Sequence, residues 1–142
     1  RIQAVVFADS MHADYTRLDT DLDAFLEFAG ASVSGRKQMV VAHSEVFPGT
    51  YASTTEAADH ILKRLRLKRA AVLRWGPIGM QQISELRAGG LTVLGYAGNS
   101  APDHIDHLYA LGELYRRVRV IAPGAGSQRK PPTKIQSGQM KR

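Results

Sequence analysis

Three short polar clusters hold the residues that could do chemistry in this chain: Asp9-Ser10-Met11-His12, His43-Ser44-Glu45, and Gly98-Asn99-Ser100-Ala101-Pro102-Asp103-His104. Carboxylates and imidazoles move protons near neutral pH, and a serine beside them becomes a nucleophile once its proton has an acceptor. Asp9, Ser44, Glu45 and His104 are among them, each suited by type to an acid, base or nucleophile role. The plainer reading of Asp9 is a carboxylate that caps a loop amide. For His104 and His107, one helical turn apart, it is a pair of helix-start residues. His12, His43 and Asp9 lack a compact ligand spacing, so no metal is expected.

The elements between the clusters explain why they could meet. Ile2 to Phe7 is a short apolar, β-branched run, as in a strand buried on both faces, and Asp9 follows it directly. Leu18, Leu22, Phe25, Leu26 and Ala29 recur at helical spacing, which predicts a helix over 18–30. Gln38 to Ala42 is a second buried strand, ending at His43. Ser53-Thr54-Thr55-Glu56 is a capping box that opens a helix over 54–66. Ala70 to Trp75 reads as a short strand and Met80, Ile83 and Leu86 are also compatible with a helix, but Ala88-Gly89-Gly90 between two extended-looking runs favours the turn of a hairpin leading into Leu91 to Tyr96. Ser100-Ala101-Pro102-Asp103 opens the last helix, over 102–118. Strand and helix alternate with connections long enough for crossovers, so the expected fold is α/β with a mainly parallel sheet and flanking helices. In such sheets the ligand site lies beyond the carboxyl ends of the strands, where all three clusters fall.

A strand ending in Asp9, followed later by a strand leading into Gly98-x-x-x-x-x-His104 before the closing helix, resembles the acid and histidine segments of the α/β-hydrolase superfamily. The resemblance covers about residues 2 to 118. It implies the C-terminal half of a hydrolase fold, with Asp9 as the triad acid, or Glu45 because the family usually places the acid one strand later. It also implies His104 as the general base, no cofactor, and a small-molecule ester, thioester or amide as acyl substrate. The family order places the serine before both. No Gly-x-Ser-x-Gly occurs in the chain. Val40-Val41-Ala42-His43-Ser44-Glu45-Val46 is similar to a nucleophile elbow, but Val46 stands where the second glycine belongs. The resemblance therefore implies an incomplete serine hydrolase, inactive alone, whose elbow lies upstream. The alternative from another class is a non-catalytic Rossmann-like binding or interaction domain. Gly76-Pro77-Ile78-Gly79 does not match the dinucleotide fingerprint. A third reading pairs Asp9 with Asp14 in metal-dependent phosphoester chemistry.

Bulk properties bound these readings. A chain of 142 residues, 44% of them hydrophobic, suffices for one domain. No apolar run approaches the ~18 residues of a membrane span, and the first residues have no signal-peptide layout. There is no cysteine, which excludes disulfides and thiolate chemistry and leaves the compartment open. The net charge of +6 is unevenly placed: all 13 acidic residues and 14 of the 19 basic ones precede Val120, leaving residues 1–120 near neutral. The remaining five cations lie in a stretch rich in Gly, Pro, Ser and Gln, so residues 121–142 are expected to be a disordered basic tail. Nucleic-acid contact is expected only as weak tail binding.

Overall fold

The computed structural model describes residues 1–76 and 79–118. The basic tail expected over 121–142 lies outside the described residues. Five strands form one sheet: β1 (Ala4–Ala8), β2 (Gln38–His43), β3 (Ala70–Trp75), β4 (Gln81–Ala88) and β5 (Leu91–Tyr96), in the order β1-β2-β5-β4-β3. The helices are α1 (Leu18–Asp21), α2 (Asp23–Val33), α3 (Thr54–Arg64), α4 (Ala101–Tyr109) and α5 (Leu111–Tyr115).

The α/β class stands, but the sheet is mixed and not mainly parallel. β1 pairs with β2 and β2 with β5 in parallel, whereas β4 runs antiparallel to both β5 and β3. The cause is local. Gly89 takes a left-handed φ of 57° and begins a two-residue turn, so β4 and β5 close as a hairpin instead of being joined by a crossover helix. The turn also sits against the end of α2: a Cβ at Gly89 would lie 2.2 Å from the Val33 carbonyl oxygen.

Helices cover both faces of the sheet. On one face Met39, Val41, Leu91 and Val93 meet Leu22 and Ala29, together with Ile61 and Leu62 of α3. On the other, Ala8, Ala42, Leu94 and Tyr96 meet Ala110 and Leu114. This two-sided cover is why β2 is buried along its whole length and reads as an unbroken apolar run. Two predicted helices are interrupted, at Leu22 and at Ala110, and both break residues are buried. Apolar periodicity passes through such residues without a signal, so each pair of short helices looks continuous in the sequence. Among the described residues no helix is long and apolar enough to cross a membrane.

Candidate functional site

The parallel register aligns the carboxyl ends of β1 and β2. Ala8 lies opposite Ala42, and the Asp9 amide still donates to the Ala42 carbonyl at 2.8 Å. Asp9 is thus the first residue past the end of β1, beside His43 and Ser44. Its φ of 51° is left-handed, a region that Asp tolerates better than most side chains and that recurs at functional sites. The residue is 4% exposed.

Four groups hold the Asp9 carboxylate and its loop. The Ser44 hydroxyl donates to Oδ2 at 2.5 Å, the Ser44 amide donates to Oδ1 at 3.2 Å, and His104 Nδ1 lies 2.8 Å from Oδ2. One residue pair further on, the Met11 amide donates to the Thr54 hydroxyl at 3.1 Å. Burial by itself pushes the Asp9 carboxyl up, but the bonds from Ser44 and His104 outweigh it and hold the carboxyl below its usual value. An ionised carboxylate only accepts, so His104 Nδ1 carries the proton and donates it. In the neutral ring Nε2, on the opposite side, is then the bare basic nitrogen.

His104 reaches Asp9 because of how α4 begins. Ser100 and Asp103 form the capping box expected from the sequence, with Pro102 in the first turn, and His104 is the next residue. The His104 side chain is 37% exposed. It borders a cleft of about 100 Å³ together with Asp9, His12, Tyr51 and Thr54. The His12 and Tyr51 rings meet edge to face at 5.2 Å, and the two loops carrying them are tied by the Ala13 to Ala52 bridge.

No family model, curated protein or solved structure matches the chain. What the site can do is therefore read from its atoms.

Ser44 is not arranged as a nucleophile. A triad serine gives its proton to the imidazole, whereas the Ser44 hydroxyl and His104 both bond the same oxygen of Asp9. Ser44 is 1% exposed, and its oxygen also accepts from the Val46 amide at 3.2 Å. Its role here is to hold Asp9. Glu45, the rival acid, is exposed, and its amide donates to the Gly98 carbonyl. Among the described residues Asp9 alone provides the carboxylate on His104.

His43 serves a different purpose from the one weighed for it as a metal ligand. Its ring is buried, with Nε2 against the Arg69 guanidinium and Nδ1 2.8 Å from the Thr55 hydroxyl. Arg69 is ion-paired to Asp59 on α3. Since Arg69 only donates, Nε2 accepts and Nδ1 donates to Thr55, whose hydroxyl proton goes to the Ser44 carbonyl at 2.6 Å. Burial, with Arg69 adding its charge, depresses the His43 pKa to about 4, so the ring is neutral. Gly95, opposite His43 on β5, makes room for that ring, because a Cβ there would fall 2.9 Å from Cε1. Asp14, the partner of Asp9 in the metal reading, spends its carboxylate on the backbone and hydroxyl of Thr16. Among the described residues no group of three or more His, Asp or Glu is placed to hold a metal ion.

His107 is buried under α4 against Tyr96, with the rings 5.5 Å apart, and burial lowers its pKa. Its Nδ1 and the Tyr96 hydroxyl have no partner among the described residues. The roles of Ser44, Thr55 and Arg69 were missed from the sequence. The Ser44 link was discoverable, since aligning the ends of the first two strands sets Asp9 beside His43-Ser44. Arg69 carries no local mark, sitting in a run of basic residues.

Proposed function

We propose that the carboxyl edge of the sheet is a general acid–base site of hydrolase type. In it Asp9 orients His104, and His104 Nε2 takes a proton from a nucleophile attacking a small acyl substrate. The observation that carries the reading is the 2.8 Å bond from His104 Nδ1 to a buried carboxylate, with the ring partly open to a cleft. The carboxylate fixes the tautomer that leaves Nε2 to accept the proton. Because the Ser44 proton is committed to Asp9, the nucleophile is either water or a serine outside the described residues. As in the hydrolase resemblance, a complete triad takes that serine from another segment.

The test is turnover of an activated ester, p-nitrophenyl acetate, with fluorophosphonate labelling alongside. The expected result is slow, burst-free hydrolysis and no label. His104→Ala should lower the rate by at least about tenfold, within the usual range for a lost general base, and Asp9→Asn should also lower it. An unchanged rate in folded His104→Ala sinks the proposal, and stoichiometric label on Ser44 overturns its assignment as the residue that holds Asp9.

One observation favours the second reading, a non-catalytic binding domain. Among the described residues no serine or threonine hydroxyl bonds His104. In that case His104 and Asp9 hold a small polar ligand, and ligand-induced shifts of the His104 ring should appear without turnover.

A further inference from the structure

The edge of the sheet opposite Asp9 and His104 carries a separate cavity of about 350 Å³. Strand register builds its floor. Val40 of β2 lies opposite Thr92 of β5, and Thr92 lies opposite Arg87 of β4, so the three side chains form a row across adjacent strands on one face. Two residues further along, Ala42 and Leu94 on the same face are covered by the helical layer containing Ala110 and Leu114. The row itself lies toward the amino ends of β2 and β5. Gly35, Lys37 and Gln38 around the start of β2, Arg117 just after α5 and the Gly89-Gly90 turn also line it.

Three of these side chains are cations, and their compensation is incomplete. Glu85 is shared between Arg87, through Nε, and Arg74. Among the described residues nothing bonds the two terminal nitrogens of Arg87. The Lys37 ammonium lies 4.3 Å over the Phe28 ring of α2, on the other face of the sheet, and so is not among the charges that meet in the cavity. No described carboxylate pairs with Lys37 or Arg117.

We propose that this cavity binds a small phosphate-bearing molecule, with Arg87 and Arg117 on the phosphate and Thr92 as a hydroxyl donor. Guanidinium presents a fork of donors to phosphate oxygens. A volume near the lower end of the range for small-molecule sites, about 300–1,000 Å³, suits a phosphate with a short carbon body. A nucleic-acid strand is too large to enter. The proposal is independent of the chemistry at Asp9 and His104.

The test is a nitrogen-15 NMR titration of the full chain at physiological ionic strength with three probes: inorganic phosphate, glycerol phosphate and a short oligonucleotide. The expected result is saturable movement of the Thr92, Gly89 and Gly90 amides with glycerol phosphate. Stronger binding of glycerol phosphate than of inorganic phosphate identifies an ester as ligand, and equal binding identifies phosphate itself. Arg87→Gln and Arg117→Gln should each weaken the interaction by about tenfold, the effect of losing one charge-assisted bond. If loss of the Glu85 contact unfolds Arg87→Gln, then Arg117→Gln decides, since no described carboxylate pairs with Arg117. Non-saturating shifts, wild-type affinity in folded variants, movement confined to the Asp9 edge, or tighter binding of the oligonucleotide would each overturn the proposal.

Discussion

At the scale of single residues, the site is a set of donors that converge on Asp9 and leave His104 Nε2 as an acceptor. Arg69 donates to His43, His43 to Thr55, and Thr55 to the carbonyl of Ser44, whose hydroxyl and amide both end on Asp9. Asp9 finally accepts from His104. Such a chain fixes each proton, because reversing one bond would leave a buried group unpaired. It also makes stability depend on pH. The pKa of His43 is about 4 in the fold and 6.5 when unperturbed, so between these values the unfolded chain binds a proton that the folded chain refuses. Stability is then complete above about pH 6.5 and falls as pH drops toward 4, by roughly 3 kcal/mol, because each tenfold drop in proton affinity on folding is worth about 1.4 kcal/mol. The carboxyl of Asp9 acts lower. Its depressed pKa contributes stability that is complete above the ordinary carboxylate range and is lost only as pH falls through the folded value. Urea unfolding between pH 7 and pH 4 should show the first loss, and His43→Gln should flatten it. A wild-type midpoint that stays constant over that interval would contradict the buried neutral imidazole.

At the scale of elements, local chemistry was legible and neighbour relations were not. Both capping boxes form as the sequence implies, because Ser53 with Glu56 and Ser100 with Asp103 need only residues within one turn. β1, β2 and β5 were visible as short apolar runs for the same reason, whereas β4 was not, since Met80, Ile83 and Leu86 are also spaced as in a helix. The antiparallel β4–β5 pair was legible in the Ala88-Gly89-Gly90 turn, but the antiparallel place of β3 at the sheet edge was not, because it depends on which strand β4 meets on its far side. Asp9 and His104 could be named from their places at strand ends, but their 2.8 Å contact spans 95 residues of chain. Ser44 lies 35 residues from Asp9 and Arg69 lies 26 from His43, so their roles depend on strand order. The hairpin that decides this order is held by Gly89, where left-handed backbone and close approach to Val33 coincide. Gly89→Ala should cost about 2–4 kcal/mol, combining backbone strain with a clash against a carbonyl that cannot rotate away. A urea midpoint within error of wild type would show that the turn does not need glycine.

At the scale of the whole molecule, β2 and β5 are the shared floor of two apolar layers. Val41 and Val93 face the layer of α2 and α3, while Ala42 and Leu94, one residue along each strand, face the layer of Ala110 and Leu114. Neither layer has another sheet to rest on, so loss of either exposes the backs of the strands that support the other. The two layers should therefore unfold together, in one transition, despite lying on opposite faces. Leu94→Ala tests this directly. Leu94 is fully buried, and its truncation removes contacts only from the α4–α5 side. The expected loss is about 2–5 kcal/mol, set by how far the surroundings close over the cavity. If the molecule is one cooperative unit, the slowest-exchanging amides of α2, across the sheet, should lose protection by the same free energy as those of β5. If α2 keeps wild-type protection while β5 and α4 exchange faster, the layers open separately. His104 would then ride on a helix able to leave Asp9 without unfolding the rest, and the site would open on α4 alone.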